Sequence, residues 1–322
     1  MPRFGYKLMS EEHAPATLVD NARRAEAAGF DFVAISDHFH PWLRSQGHSP
    51  YAWTVLGAIA ARTERIGLVT AVTCPFLRYH PVIVAQAAAT LACLSGGRLT
   101  LGLGTGEQLN EHVLGRRWPA PAVRREMLAE SIEILRLLGR GGTRSYRGQH
   151  FEVAQAEVFD LPERPPPIAV AAGGSAGAVF AAKQAAGLFA TAPDRALVDA
   201  WHAAGGSGPA YAEVALCWAR DEAEAVRIAH DRFRFGLLGW KVMADLPNPA
   251  SFEAASAWIR PEDVAKVIAC GPDPQHHLAA VRRYRDAGFD HLVLIGVGPD
   301  QQGFLRFWEE ELAPKLRDTA RA

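Results

Sequence analysis

Short apolar runs alternate with longer amphipathic stretches along almost the whole chain, and this alternation limits the fold more than any other feature. Strand-like runs fall at Phe4–Leu8, Phe32–Ser36, Ile66–Val72, Leu99–Leu103, Ile168–Ala172, Leu188–Thr191, Val214–Trp218 and Leu292–Val297. Most are continuously apolar, as a strand buried on both faces must be. Helix-like stretches separate them at Pro15–Ala28, Tyr51–Arg62, Pro81–Leu94, Arg124–Leu138, Ala176–Ala186, Asp194–Ala204, Asp221–Phe235 and Pro274–Ala287, and Gln302–Leu316 closes the chain. Ala27-Ala28-Gly29-Phe30-Asp31 and Ala287-Gly288-Phe289-Asp290 are near copies, each a helix end with Gly just beyond it and a strand following. Eight strands alternating with helices match a (β/α)8 TIM barrel, an α/β fold; a doubly wound open sheet is the competing arrangement.

The length of 322 residues suggests two domains, but α/β barrels use about 250 residues or more as one. No linker separates two halves, so residues 1–322 read as a single barrel domain with two insertions. The first, near 139–167, is rich in Gly and Pro and holds a hairpin candidate at Tyr146-Arg147-Gly148-Gln149-His150-Phe151. The second, near 236–260, is a long connection with Trp240, Pro247, Pro249 and Trp258. Insertions of this size between barrel elements often form lids or pocket walls.

Composition excludes several function classes. Lys and Arg total 34 against 35 Asp and Glu, a net charge of −1, which argues against binding nucleic acid through a basic surface. No apolar run has the roughly 18 residues a membrane span needs, and Met1–Lys7 lacks the apolar core of a signal peptide. Cys74, Cys93, Cys217 and Cys270 form no C-x-x-C pair, which argues against a disulfide framework and a cysteine zinc site. A cytoplasmic protein with reduced thiols and a small-molecule substrate is the expectation.

Chemistry concentrates at the ends of the apolar runs, which in a barrel form the active face. Ser36-Asp37-His38-Phe39-His40-Pro41-Trp42 follows the second run and holds a carboxylate, two imidazoles and an indole. A neutral His exchanges protons near pH 7, although Asp37 capping a turn and His38 as a half-buried polar group would explain the same residues. His38-Phe39-His40 also fits half of a metal site. The runs ending at Ala172 and Thr191 offer no further His, and His291 begins its strand at the opposite face, so no metal is expected.

Leu101-Gly102-Leu103-Gly104-Thr105-Gly106-Glu107 is not a dinucleotide fingerprint, because G-x-G-x-x-G needs Gly where Glu107 stands. Its glycines let a flat ligand approach the backbone, with Glu107 projecting into the mouth and Asn110 and Glu111 just beyond; a plain strand-to-loop turn explains them too. Ala172-Gly173-Gly174-Ser175-Ala176-Gly177 leads into a helix and leaves backbone N–H groups for an anion, or else allows tight strand–helix packing. Thr70–Pro75 could form a bulge lining the pocket, and Cys74 has no neighbouring base in sequence to make it a nucleophile.

Taken together, Ser-Asp-His-Phe-x-Pro-Trp, Arg78-Tyr79-His80-Pro81, Gly104-Thr105-Gly106-Glu107 and Ala171-Ala172-Gly173-Gly174 resemble the coenzyme F420-dependent branch of the luciferase-like oxidoreductases. The match is nearest to the F420-dependent glucose-6-phosphate dehydrogenase family and runs from Gly5 to about Leu316. The resemblance implies a (β/α)8 barrel holding F420 at its C-terminal mouth. It implies catalytic roles for His38, Glu107 and Trp42. Asp37 would contact the deazaflavin end, Val72 would back the ring, Gly106 lies in the loop beside it, and Asn110 would be a further contact. Gly173, Gly174, Ser175 and Ala176 match the loop that holds the cofactor's phosphate. In the mechanism so implied, the substrate carbon gives a hydride to deazaflavin C5, His38 takes the hydroxyl proton, and Glu107 protonates the reduced ring or stabilises its charge. Family members are commonly dimers, which implies a homodimer here.

The chain departs from that family at two substrate-binding cations. The Lys expected after the sixth run is replaced by Thr191-Ala192-Pro193-Asp194-Arg195, and a second Lys by Phe252-Glu253-Ala254-Ala255. Losing two charge-assisted phosphate contacts costs on the order of several kcal/mol, so a substrate other than glucose 6-phosphate is expected unless Arg195 or Arg260 substitutes. Trp240, Trp258 and Phe235 suggest a more apolar pocket wall, or simple packing. Two alternatives remain: a barrel using reduced FMN and oxygen, as luciferase-like monooxygenases do, and a non-catalytic cofactor carrier. The retained His38 and Glu107 argue against the carrier.

Overall fold

The computed structural model describes residues 2–318; Met1 and residues 319–322, the outer ends of the single-domain reading, lie outside the described residues. Eight strands form the barrel: β1 (Arg3–Leu8), β2 (Phe32–Ile35), β3 (Gly67–Thr70), β4 (Leu99–Leu103), β5 (Ile168–Ala171), β6 (Gly187–Ala190), β7 (Ala210–Cys217) and β8 (His291–Gly296). Each pairs in parallel with its sequence neighbour, β1 pairs with β8, and the β6–β7 ladder is present as well. The sheet therefore closes on itself, which excludes the doubly wound alternative.

Helices α1 (Pro15–Ala27), α2 (Ala52–Ala60), α3 (Pro81–Leu94), α4 (Pro121–Leu138), α5 (Ser175–Gln184), α6 (Arg195–Ala203), α7 (Glu222–Phe233) and α8 (Pro274–Asp286) surround it. Their ends follow local chemistry. Pro opens α1, α3, α4 and α8, where its missing N–H costs nothing. Asp194, Asp221 and Asp273 cap α6, α7 and α8. Gly29 and Gly288 take positive φ of 78° and 103° just past α1 and α8, as the repeated Ala-Gly-Phe-Asp segment predicts.

Alternation along β1 sends Phe4, Tyr6 and Leu8 outward to the helix layer and Lys7 toward the axis. The interior is filled by Phe32, Ala34, Val69, Ala71, Ala169, Phe189, Tyr211 and Val293. Two strand readings shift. β3 stops at Thr70, because after it Thr73 pairs with Leu103 across a single bridge; the Ala71–Val72 peptide is cis. β7 starts four residues before the expected Val214, at Ala210. Glu213 breaks the apolar run there, yet its charge is met inside the barrel by Lys7.

The hairpin of the first insertion forms from Arg144–Arg147 and Glu152–Ala156, with Glu130 accepting the N–H groups of Gln149, His150 and Phe151 at its turn. The second insertion is mostly helical, at Trp240–Met243 and Pro249–Ser256. The latter starts where Asn248 caps a Pro-led helix, a signal that reading the segment as a connection missed. Among the described residues, no helix is long and apolar enough to cross a membrane.

Candidate active site

The segments that follow β1, β2, β3 and β4 meet at the C-terminal end of the barrel. The one after β1 brings Glu11 under His38, which follows β2. Their Oε1 and Nδ1 atoms are 3.0 Å apart, and both side chains are buried. On the other ring nitrogen, Nε2, the nearest charge is Glu107 Oε1 at 4.0 Å. The Trp42 indole stands edge-on to the imidazole, with ring centroids 4.7 Å apart. His38 and Glu107, 69 positions apart in the chain, thus share one mouth with Trp42.

Burial alone would lower the basicity of His38. The Glu11 carboxylate outweighs it, Glu107 adds to the effect, and His38 is held above its ordinary range. Glu11 is pushed up by burial but pulled down further by His38, and ends below the usual carboxylate range. The Glu11 carboxylate therefore favours the protonated form of His38, and Nε2 is the ring nitrogen on the Glu107 side of the mouth.

Asp37 is enclosed. Its Oδ1 accepts from Arg78 Nη2 at 2.8 Å and Tyr79 Oη at 2.9 Å, and its Oδ2 accepts from Thr73 Oγ1 at 2.8 Å. Arg78 in turn donates its backbone N–H to Glu111 at 2.8 Å. Burial pushes the Glu111 carboxyl up to about 7, against the pull of Arg78. Asn110 is fully buried; its Oδ1 accepts the N–H groups of Phe39 (2.9 Å) and His40 (3.1 Å), and its Nδ2 donates to Glu107. The loops after β2 and β4 are thus tied together, and Asp37 and Asn110 hold the frame in which His38 and Glu107 stand.

Val72 lies over the glycines of the β4 loop. A Cβ at Gly104 would come within 2.6 Å of its Cγ2, and one at Gly106, where φ is +73°, within 2.9 Å of Cys74 Sγ. Cys74 itself is buried, and burial and Glu111 raise its thiol far above the ordinary value, so it offers no thiolate. Gly173 and Gly174 lead into α5, which opens on Ser175 and Ala176 with no side-chain cap on its first N–H groups. A Cβ at Gly174 would meet nothing within 4 Å, and one at Gly173 would touch the Trp240 ring at 3.4 Å.

Trp42 stacks on Phe235 at 5.0 Å and meets Phe252 edge-on at 5.1 Å, so the second insertion lines the wall beside His38 with apolar rings. Trp258 is exposed. The two arginines weighed as phosphate ligands are engaged elsewhere: Arg195 donates to the Asp286 carbonyl and Arg260 pairs with Asp263. Glu11 escaped the sequence reading, although Ser10-Glu11-Glu12-His13 directly follows a strand and so lies on the active face.

A closed barrel that gathers an imidazole, two carboxylates and an indole at its carboxyl mouth, where the active sites of barrel enzymes sit, has the architecture of a barrel enzyme. The luciferase-like monooxygenase family model matches residues 1–291. The chain is 36% identical to an F420-dependent glucose-6-phosphate dehydrogenase of Amycolatopsis mediterranei, over 98% of this chain and 99% of that protein. It is 37% identical to one of Microbacterium testaceum, over 98% and 97%. Among solved structures, an F420-dependent secondary alcohol dehydrogenase in complex with an F420-acetone adduct superposes with a TM-score of 0.90 at 26% identity, covering 97% of this chain and 98% of that one. The chain belongs to the luciferase-like family, in its branch of F420-dependent glucose-6-phosphate dehydrogenases.

Proposed function

We propose that this protein is an F420-dependent oxidoreductase that interconverts a substrate alcohol and its carbonyl compound. The observation that carries the reading is His38 with Nδ1 on buried Glu11 and Nε2 turned toward the mouth. The residues present fit the cofactor. Val72 and the Gly104–Gly106 loop form a close surface for a flat ring, and the uncapped start of α5 beside the open Gly174 suits a phosphate. Val72, Gly106, Gly173, Gly174, Ser175 and Ala176 would hold it, with Asp37 and Asn110 at the ring end.

When bound, F420 supplies the deazaflavin carbon that accepts or returns the substrate's hydride. The protein's own part is proton management. In oxidation, Nε2 of His38 takes the hydroxyl proton and Glu11 stabilises the imidazolium that results. In reduction the imidazolium returns it to the carbonyl oxygen. Glu107 holds a charge or a proton on the facing side, and Trp42 fixes the imidazole plane.

The substrate we assign is an uncharged alcohol or ketone. The stretch Phe252-Glu253-Ala254-Ala255, where the second Lys was expected, holds no cation and its Phe252 meets the Trp42 ring, while Asp194 spends its carboxylate capping α6. This departs from the glucose 6-phosphate in the names of the relatives. Mixing the protein with F420 and following the deazaflavin absorbance separates the two: rapid bleaching with small secondary alcohols supports the assignment, and bleaching only with glucose 6-phosphate removes it. Tight FMN binding without F420 binding would favour the monooxygenase reading.

We also infer a cytoplasmic homodimer. α3 leaves Ile83 and Leu94 exposed, and the four cysteines are free. Light scattering on the purified protein tests the dimer; a monomeric mass refutes it.

A further inference from the structure

We infer that Lys7 is a positioning residue for this site: from inside the barrel it anchors the Ala71 carbonyl, and with it the seat of Val72, and it sets a fixed positive charge on β1, the strand that leads directly to Glu11. The inference rests on the function proposed above.

Lys7 is 4% exposed, in an interior that, apart from its partner Glu213, is packed with apolar and aromatic side chains. Its Nζ donates to the Ala71 carbonyl at 3.0 Å and to the Glu213 carboxylate. Burying two charges is costly, and a well-packed apolar pair often serves stability equally well. Stability alone therefore gives no reason for a lysine here.

Its two partners do. The Ala71 carbonyl belongs to the peptide that leads into Val72, and Val72 packs against Gly104 in the mouth. One hydrogen bond thus runs from the barrel interior to the surface that would back the ring. The charge acts on the proton-handling pair. The charged groups facing His38 are Glu11, which follows β1, Glu107, which follows β4, and Lys7, which alone among them opposes protonation. Lys7 also favours the ionised form of Glu11. Asp37, next in sequence to His38, is neutralised by Arg78. Without Lys7, two carboxylates would hold the proton on His38 more tightly, and the imidazole would be a poorer base near neutrality.

The test compares variants that break the same ion pair in opposite ways. Lys7→Met removes the positive charge and the Ala71 bond, whereas Glu213→Gln keeps both. NMR titration of His38 in the cofactor-free protein, assigned by difference with His38→Gln, reads the charge directly. We expect the His38 midpoint to rise by about 1 pH unit in Lys7→Met, to stay or fall in Glu213→Gln, and to stay in Lys7→Arg. F420 affinity, read by fluorescence, should fall about tenfold in Lys7→Met and persist in Glu213→Gln. The double variant Lys7→Met/Glu213→Gln leaves no unpaired charge, so it keeps the measurement possible if Lys7→Met does not fold; its His38 should titrate above the wild type. Equal shifts in Lys7→Met and Glu213→Gln, or an unmoved His38 in Lys7→Met or in the double variant, overturn the inference. A wild-type protein that binds no F420 sinks the proposed function and leaves the titration result standing.

Discussion

His38 and Glu11 are joined at 3.0 Å across two adjacent barrel strands, with the Nδ1 of one facing the Oε1 of the other in a buried contact. The consequence is a division of labour within one ring: Nδ1 is committed to the protein and Nε2 is left for chemistry. The charge that governs the base then comes from a residue that need not touch substrate.

Replacing His38 by Ala should lower turnover about 10²- to 10⁴-fold, the usual range for a general acid–base, and leave F420 affinity within a few-fold. Steady-state kinetics beside a fluorescence titration checks both. Unchanged turnover would remove His38 from its role.

Glu11→Gln should lower the basicity of His38, because its largest opposing force to burial is lost. The acid limb of the oxidation profile should move down by about 1 pH unit or more, with a smaller maximal rate from the weaker base. A limb that stays in place would show that Glu11 does not govern His38.

The wild-type profile has a definite sign. His38 is raised above 6.5, so its free base appears only at higher pH, and alcohol oxidation should climb as pH rises through that titration while carbonyl reduction falls. The stability contributed by His38 is full below 6.5 and is lost as pH rises through the folded value; that of Glu11 is lost at the acid end, as pH falls through its depressed value. Rates in both directions from pH 5 to 9, with denaturant melts in parallel, decide it.

Asp37→Asn strands a buried Arg78, and Arg78→Met strands a buried Asp37. Each should cost about 3–5 kcal/mol, the usual loss when one member of a buried pair is removed. Removing both together should cost less than the sum. Thermal unfolding of the three variants measures the coupling, and strict additivity would contradict it.

Glu12 is pushed up to about 7, chiefly by burial and further by Glu11, against Arg232 and Gln46. The unfolded chain releases this proton from about 4.5, so the native state is penalised progressively from there to about 7 and fully above it. Glu12→Gln should therefore stabilise the protein by on the order of 2 kcal/mol at pH 8 and little at pH 4. Equal gains at both pH values would refute this account.

Much of the architecture was legible in one dimension. A strand buried on both faces must be apolar throughout, so all eight runs stood out, and Pro and Asp marked helix starts locally. His38, Trp42 and Glu107 were visible because each sits in a short segment just past such a run. The tertiary structure decided the rest. Glu11 is one acid among 35 until barrel closure sets it under His38. Lys7 and Glu213 look like faults in apolar strands until the ring of strands brings them together, 206 residues apart, and each cancels the other's charge. Phe252 reaches Trp42 only through the fold of an insertion whose sequence reads as a connection. Secondary structure depends on near neighbours, which the sequence lists in order. The protonation state and the wall of a site depend on distant groups brought within a few ångströms, where low dielectric makes their fields strong, and only the closed barrel specifies those distances.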